Sequence, residues 1–186
     1  MADQHQEWLD FAKSVALEAG DIMRKYFGKK PDSHLKANNT IVTVADEEIN
    51  DLVIKRVTER YPAHDIDGEE ASQRRGSKYV WACDPIDGTT SFIMGLPVSV
   101  FSLALVIDGQ SEVGVIYAPF SDHLYWASRG CGAYMNSQPI HVSQHSLDDR
   151  MDPWWTPQMY TLHSCCHKSA GTRHNAPYRG ASTTRF

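Results

Sequence analysis

A β-hairpin pattern in the middle of the chain constrains the fold more than any other feature. Residues 98–107 form a long apolar run rich in β-branched side chains, and a second apolar run occupies residues 113–117. Asp108-Gly109 lies between them, and this dipeptide favours a tight two-residue turn. Three shorter strand-like segments surround the pair: residues 79–83, 124–127 and 132–135. The pattern predicts a mostly antiparallel sheet.

Two helices are predicted before this sheet. The first has apolar residues at spacings of three and four, as in a helix with one buried face: Trp8, Phe11, Ala12, Val15, Ala19, Ile22, Met23 and Tyr26. It is expected to end near Gly28, and the polar residues 31–39 predict a loop. The second helix is expected to end before Pro62, and Thr43 with Asp46 fits a capping box at its start. Helices followed by hairpins predict an α+β fold, with helices packed on the sheet.

The composition is that of a globular chain. Of the 186 residues, 41% are hydrophobic and 22% are charged, and the formal net charge is −5. This balance provides no basic surface for nucleic acid, and no apolar run reaches the roughly 18 residues that span a bilayer. The polar N-terminal residues do not resemble a signal peptide. The four cysteines show no C-x-x-C spacing, so a reducing, cytoplasmic location is expected.

Three acidic segments follow one another within a short part of the chain. They comprise Asp46, residues 65–70 and residues 84–92, and the last follows directly on the strand predicted at residues 79–83. Taken singly, each is more typical of a helix cap or a solvated turn than of a functional site. Their proximity in sequence makes a shared site the competing interpretation.

The third acidic segment combines two kinds of chemistry. Asp84 and Asp87 are three residues apart, with the carbonyl of Ile86 between them, and magnesium prefers such oxygen ligands. Gly88 and Thr89 open a predicted short helix whose free N–H groups are suited to phosphate. Metal ligands beside a phosphate cradle are what metal-assisted phosphoryl hydrolysis requires.

These segments resemble a known family. Residues 84–92, Asp-Pro-Ile-Asp-Gly-Thr-Thr-Ser-Phe, resemble the D-P-[ILV]-D-G-T-x-x-F signature of the inositol monophosphatases. Residues 68–70 resemble the G-E-E element of that family, and Lys36 with residues 42–46 resembles its K…V-T-x-A-D element. The resemblance covers about residues 8–146. It implies a layered α/β sandwich of the sugar-phosphatase type and a magnesium-dependent, lithium-sensitive phosphatase.

The resemblance also implies metal ligands. Glu69, Asp84 and the carbonyl of Ile86 would hold one magnesium ion. Asp84 and Asp87 would help to hold a second. Paired metals of this kind stabilise both the attacking and the leaving oxygen of an in-line displacement.

Catalytic and substrate-binding roles follow from the same resemblance. Thr89, hydrogen-bonded to Asp46, would orient and deprotonate the attacking water, and Glu70 would support the site from nearby. The N–H groups of Gly88 and Thr89 would hold the phosphate. Lys36 is placed with the substrate-binding residues, where it would screen the carboxylates.

The implied function is hydrolysis of a small phosphorylated alcohol such as inositol monophosphate. Histidinol phosphate, fructose bisphosphate and a phosphoadenosine nucleotide are alternative substrates within the same fold. A small phosphorylated substrate and a second copy of the chain, in a homodimer, are the expected partners. Nucleic acid and membranes are not expected partners.

The segment after residue 147 departs from the family pattern. Leu162 is its only Ile, Leu or Val, so residues 148–186 are expected to form an irregular tail on a family-like portion, residues 1–147. The W-D-x-A-A-G element of the family, whose Asp completes the second metal site, has no counterpart, because the chain contains no Trp-Asp pair. We therefore expect the family's C-terminal half to be missing through truncation or a frameshift. A catalytically impaired chain that binds metal or a partner is the alternative.

Overall fold

The computed structural model describes residues 2–29, 33–35 and 41–143. Every described helix and strand lies in the unit Met1–His141, and the other unit, Val142–Phe186, is described only at residues 142 and 143. The elements are, in chain order, α1 (Ala2–Tyr26), β1 (Ser33–Leu35), β2 (Ile41–Thr43), α2 (Val44–Arg60), β3 (Asp65–Gly68), β4 (Tyr79–Asp87), α3 (Thr89–Ile93), β5 (Val100–Ile107), β6 (Gln110–Ala118), β7 (His123–Ser128), β8 (Gly132–Met135) and β9 (Gln138–Ile140). The predicted boundary at residue 147 and the tail, residues 148–186, lie outside the described residues and stay predictions.

Seven strands form one sheet in the order β3-β4-β5-β6-β7-β8-β9. All neighbouring strands from β4 to β9 are antiparallel, and β3 alone runs parallel to its neighbour β4. Between β5 and β6 the backbone φ angle is 49° at Asp108 and 77° at Gly109, as a primed two-residue turn requires. The hairpin and the mostly antiparallel sheet are therefore confirmed.

Helix α1 packs its apolar face against β5 and β6. The buried residues that meet there include Val15, Ala19, Met23, Phe101, Leu103, Leu105, Val115 and Tyr117. Burying one large apolar side chain contributes about 1.5–3 kcal/mol, so this layer supplies much of the stability of the fold. The predicted apolar stripe and the end of α1 before Gly28 are confirmed.

A close contact sets the distance between α1 and β6. A β-carbon at Gly20 would lie 2.3 Å from Cε1 of Tyr117, so the helix reaches the sheet only because position 20 carries no side chain. The Tyr117 hydroxyl donates to Asp122 at 2.8 Å and accepts from Arg24 at 3.1 Å. These two contacts hold the ring in place against the helix.

Helix α2 begins with the predicted capping box. The Thr43 hydroxyl accepts from the N–H groups of Ala45 and Asp46, while Oδ2 of Asp46 accepts from the Thr43 N–H at 2.8 Å. A cap of this kind contributes about 1 kcal/mol. The helix ends at Arg60, before Pro62, as expected. Neither α1 nor any other helix in the described ranges has both the length and the apolar character needed to cross a bilayer.

Two local predictions were wrong. Residues 33–35, within the stretch expected to be a loop, form β1, because they pair with β2 and so satisfy their backbone hydrogen bonds. Strand β4 does not end at residue 83 but continues to Asp87. It accommodates Pro85 because the pairing with β5 shifts register at that point, and a bulge does not require the N–H group that proline lacks.

Strand β3 lies within a segment that the sequence marked only as acidic. It buries Asp65, whose carboxylate accepts from the N–H groups of Arg75, Gly76 and Ser77 at 2.8, 2.9 and 3.0 Å. Burial opposes ionisation, but these three donors and the charge of Arg74 outweigh it and lower the pKa of Asp65. A buried acidic residue can therefore begin strand β3.

An aromatic stack closes the end of the sheet near the start of β4. The His64 ring lies between those of Tyr61 and Tyr79, with centroid distances of 4.8 and 4.6 Å. Nδ1 of His64 accepts from Nε1 of Trp81 at 3.1 Å, so it must be unprotonated. Burial lowers the pKa of His64.

This stack predicts acid-sensitive stability. The pKa of His64 is lower in the folded chain than the usual 6.5. The stabilisation that neutral His64 gives to the fold is therefore complete above about pH 6.5, and it is lost as the pH falls through the pKa of the folded chain. His64→Gln should lower the free energy of unfolding by about 1 kcal/mol at pH 7.5 through lost ring stacking, and should weaken its pH dependence below 6.5. Urea unfolding between pH 5 and 7.5 measures both effects.

The matched control is His141→Gln, because His141 is exposed. That variant should follow the wild-type curve. An unchanged pH dependence in His64→Gln would show that the stack does not titrate as described.

Candidate active site

The parallel pairing of β3 with β4 brings two acidic residues side by side. Gly68 pairs with Cys83 in this register, and the Glu69 N–H donates to the Cys83 carbonyl at 3.1 Å. The next residue after Gly68 is Glu69, and the next after Cys83 is Asp84. These two residues therefore meet at the same edge of the sheet. The two carboxyl groups are close enough that Glu69 helps to raise the pKa of Asp84.

Asp84 is the electrostatic centre of this edge. Burial, followed by the negative charges of Glu69 and Asp87, raises the pKa of Asp84 from 3.8 to about 7, and Asp46 adds a smaller effect. Oδ1 of Asp84 is buried and has no hydrogen-bond partner. A buried, unpaired carboxylate oxygen among like charges is costly unless a cation compensates it.

The end of β4 presents a backbone carbonyl to the same edge. Its register against β5 shifts between Asp84 and Asp87, so Pro85 and Ile86 form a bulge. The Ile86 side chain is buried in the core, while its carbonyl accepts from Oγ1 of Thr89 at 3.1 Å. Asp87 itself is exposed.

The short helix α3 starts directly after this bulge. Its N-terminal cap, Gly88, has φ 89° and ψ 41°, a left-handed conformation that side chains disfavour. The Gly88 carbonyl accepts from the Phe92 N–H at 3.0 Å, which closes the first turn. Thr89 is thereby held at the edge where Asp84 and Asp87 lie.

Asp46 reaches the site from the first turn of α2. Its Oδ2 accepts from the N–H and the hydroxyl of Thr43 at 2.8 and 2.6 Å, and its Oδ1 lies 3.4 Å from Oγ1 of Thr89. Burial raises the pKa of Asp46, although the hydrogen bonds from Thr43 act in the opposite direction. The carboxylate is therefore fixed in place and faces the Thr89 hydroxyl.

The donor set fits a divalent cation. Across the described ranges, no three His, Cys, Asp or Glu side chains are gathered as a ready-made ligand set. Magnesium, however, usually keeps several waters and binds through one or two carboxylates plus a substrate phosphate. The unpartnered oxygen of Asp84 and its contact with Glu69 match that mode of binding. The full set of Glu69, Asp84, Ile86 and Asp87 stays a prediction.

The remaining predicted residues have different outcomes. Lys36 lies outside the described residues, so its substrate-binding role stays a prediction. Glu70 follows Glu69 and is half-buried, and its supporting role also stays a prediction.

Sequence reasoning missed Ser99, whose hydroxyl donates to the Gly88 carbonyl at 2.9 Å. No motif marks Ser99, and only the pairing of β4 with β5 brings it to the site.

Removing the charge of Asp84 should stabilise the metal-free chain. At pH 8 Asp84→Asn is expected to raise the free energy of unfolding on the order of 2 kcal/mol, because it removes a carboxylate that burial and neighbouring charges disfavour. The gain should diminish below about pH 7, where the folded wild-type carboxyl takes up a proton. Urea unfolding in EDTA measures it, with exposed Asp51→Asn as the control.

The same pair of variants tests metal binding. Magnesium should raise the Tm of the wild type and of Asp51→Asn, and should have little effect on Asp84→Asn. If Asp84→Asn were less stable than the wild type in EDTA at pH 8, burial and neighbouring charges could not be destabilising the Asp84 carboxylate.

The left-handed cap can be tested with two alanines. Gly88→Ala and Gly109→Ala both place a side chain at positive φ, 89° and 77°, at a cost of about 1–2 kcal/mol each. A β-carbon at Gly88 would lie 3.5 Å from Oγ of Ser99, and one at Gly109 would meet nothing within 4 Å. Strain rather than a clash is therefore expected at both sites.

Only Gly88→Ala should also weaken binding of inorganic phosphate in magnesium, because only that cap adjoins Thr89. Isothermal titration gives the affinity and urea unfolding gives the stability. Equal losses of phosphate affinity in the two variants would mean that the cap has no special role.

Comparison with known proteins is consistent with this geometry. The family model described as the inositol monophosphatase family matches residues 4–182. Rat inositol monophosphatase 1 is 36% identical over 151 residues, which is 77% of this chain and 54% of the relative. The fructose-1,6-bisphosphatase/inositol-1-monophosphatase of Aquifex aeolicus is 34% identical, over 75% of this chain and 54% of the relative. The chain thus spans about half the length of these curated relatives.

The fold has solved counterparts as well. The IMPase of Thermotoga maritima superimposes with a TM-score of 0.71 at 31% identity, over 75% of this chain and 55% of that structure. The layered α+β fold expected from the resemblance is therefore confirmed. Together with the family match over most of the sequence, this similarity establishes that the chain belongs to the inositol monophosphatase family.

Proposed function

We propose that the chain is a magnesium-dependent phosphomonoesterase acting on a small phosphorylated alcohol such as inositol monophosphate. The observation that carries the proposal is the unpartnered Oδ1 of Asp84, buried beside Glu69 at the edge where Thr89 faces Asp46. Family members are phosphatases, and a solved relative, SaIMPase-II, is 30% identical, with a TM-score of 0.61, and is bound to inositol monophosphate.

The residues of this chain divide the chemistry between them. Glu69, Asp84, Asp87 and the Ile86 carbonyl would hold the metal, which when bound neutralises the carboxylates and acidifies water. The N–H groups of Gly88 and Thr89 would hold phosphate oxygens and orient the phosphorus for in-line attack.

Thr89 and Asp46 form the proton-handling pair. The Thr89 hydroxyl has two acceptors within reach, the Ile86 carbonyl at 3.1 Å and Oδ1 of Asp46 at 3.4 Å. With the Ile86 carbonyl engaged as a metal ligand, the hydroxyl would donate its proton towards Asp46 and accept a hydrogen bond from the attacking water. Burial raises the pKa of Asp46 and so makes the carboxylate a better base. Since Thr43 holds the other oxygen of Asp46, the base is already oriented before substrate binds.

The substrate is the finer part of the proposal. SaIMPase-II has also been solved with 2′AMP, and the Aquifex relative is named for fructose 1,6-bisphosphate as well as inositol 1-phosphate. Fructose bisphosphate and a phosphoadenosine nucleotide therefore stand beside inositol monophosphate as candidates. Each has a phosphate ester that the proposed residues could hold.

The second candidate function is metal binding without turnover. It is favoured by the lack of a Trp-Asp pair in this sequence, because the aspartate of that family element would complete the second metal site. One missing electrostatic contact in a transition state costs about 10²–10³ in kcat. Magnesium would then raise the Tm of the chain although no phosphate is released.

The test is phosphate release from the candidate esters by the full chain, with magnesium, with EDTA and with added lithium. Release should require magnesium and should be inhibited by lithium. Thr89→Ala should lower kcat about 10²–10⁴-fold through loss of the proton-handling hydroxyl, and Thr89→Ser should keep most of the activity.

Thr90→Ala is the matched control, because Thr90 is the next residue of α3 and is exposed. It should retain wild-type kcat. Release without magnesium, or a Thr89→Ala variant as active as Thr90→Ala, would rule out the proposed mechanism. A rise in Tm with magnesium but no phosphate release would favour the second candidate.

A further inference from the structure

The peptide unit between Gly88 and Thr89 links a buried contact to the proposed phosphate site. The Gly88 carbonyl and the Thr89 N–H belong to the same planar peptide group and point in opposite directions. Whatever fixes the direction of the carbonyl therefore fixes the direction of the N–H. In the proposed function that N–H is a phosphate donor.

Two donors hold this carbonyl. The Phe92 N–H lies 3.0 Å away and closes the first turn of α3, which is only five residues long. The Ser99 hydroxyl also donates to it, at 2.9 Å, and Ser99 is 1% exposed. Ser99 directly precedes β5, so its hydrogen bond ties the peptide to the sheet.

Gly88 needs such an external anchor. As the cap of α3 it has no side chain and makes no side-chain capping bond. Its left-handed φ of 89° is one of several conformations that glycine adopts at little cost. The peptide could therefore rotate if only the short helix held it, whereas most helix caps are fixed by their own side chain.

We propose that Ser99 is a positioning residue for the phosphate cradle. Its hydroxyl holds the Gly88–Thr89 peptide so that the Thr89 N–H faces the phosphate. A hydrogen bond accepted at the carbonyl also polarises the N–H of the same peptide and makes it a stronger donor. The inference rests on the proposed function, since it assigns a role within that site.

The first measurement follows the peptide itself, without substrate. In the ¹⁵N-labelled full chain the order parameter of the Thr89 N–H should be about 0.85 for the wild type and below about 0.6 for Ser99→Ala. Ser99→Cys keeps the volume of the side chain with a weaker donor, so it should give an intermediate value. This second variant keeps the test usable if Ser99→Ala folds poorly.

The second measurement follows phosphate. In the presence of magnesium, Ser99→Ala should weaken the affinity for inorganic phosphate about tenfold and raise the KM for the ester by a similar factor. Its kcat should change less than about threefold, because Thr89, Asp46 and the carboxylates are untouched. A purely structural role for Ser99 would instead lower the amount of active protein without raising KM.

Ser128→Ala is the matched control. Like Ser99, Ser128 is a buried serine, 7% exposed, but its hydroxyl has no hydrogen-bond partner. It lies on β7, where it pairs with Gly132 of β8. Its replacement should leave the Thr89 order parameter, the phosphate affinity and the KM within twofold of the wild type.

The possible outcomes distinguish a wrong role for Ser99 from a wrong proposed function. An order parameter and a phosphate affinity that both fall in Ser99→Ala, but not in Ser128→Ala, support the positioning role. A wild type that binds and releases phosphate, with Ser99→Ala binding it equally well, overturns the role of Ser99 alone. A wild type that neither binds nor releases phosphate in magnesium overturns the proposed function, and the inference falls with it.

Discussion

The repulsion between carboxylates at the edge of β3 and β4 is the constraint around which the site is organised. The parallel register places Glu69 beside Asp84, and the bulge after Asp84 returns Asp87 to the same region. Without a cation, this arrangement raises the pKa of Asp84 and leaves one of its oxygens unpartnered. The fold accepts this cost because the apolar layer between α1 and the sheet provides a larger favourable term.

Asp46 connects the stability of α2 with the chemistry of the site. One of its oxygens completes the capping box with Thr43, and the other faces the Thr89 hydroxyl. The contact that starts the helix therefore also fixes the direction of the proposed base. A change at Thr43 would therefore disturb both the helix start and the orientation of Asp46.

The sequence predicted the parts of the fold that depend on local pattern. The apolar stripe of α1, the capping box of α2 and the Asp108-Gly109 turn each follow from residues close together in the chain. Strand β1 was missed because its pairing with β2, rather than its own composition, makes it a strand. Strand β3 was missed because the buried Asp65 carboxylate is stabilised by N–H groups ten to twelve residues away.

In the candidate site, too, the sequence predicted what lies close together in the chain and missed what only the folded sheet brings together. Asp84, Asp87 and Gly88 stand in one motif, so the sequence could place them together. The contact between Asp46 and Thr89 was implied only by the family resemblance, because they are 43 residues apart. Ser99 could not be found at all, since only the finished sheet brings it beside Gly88.

The contact between Gly20 and Tyr117 has a consequence for the divergence of such chains. Because the ring already occupies the space that a β-carbon would need, and Arg24 and Asp122 hold the ring in position, neither position can drift independently. A lineage can acquire a larger residue at position 20 only after the aromatic ring at position 117 has been replaced by a smaller side chain. Covariation between these two alignment columns would record this coupling.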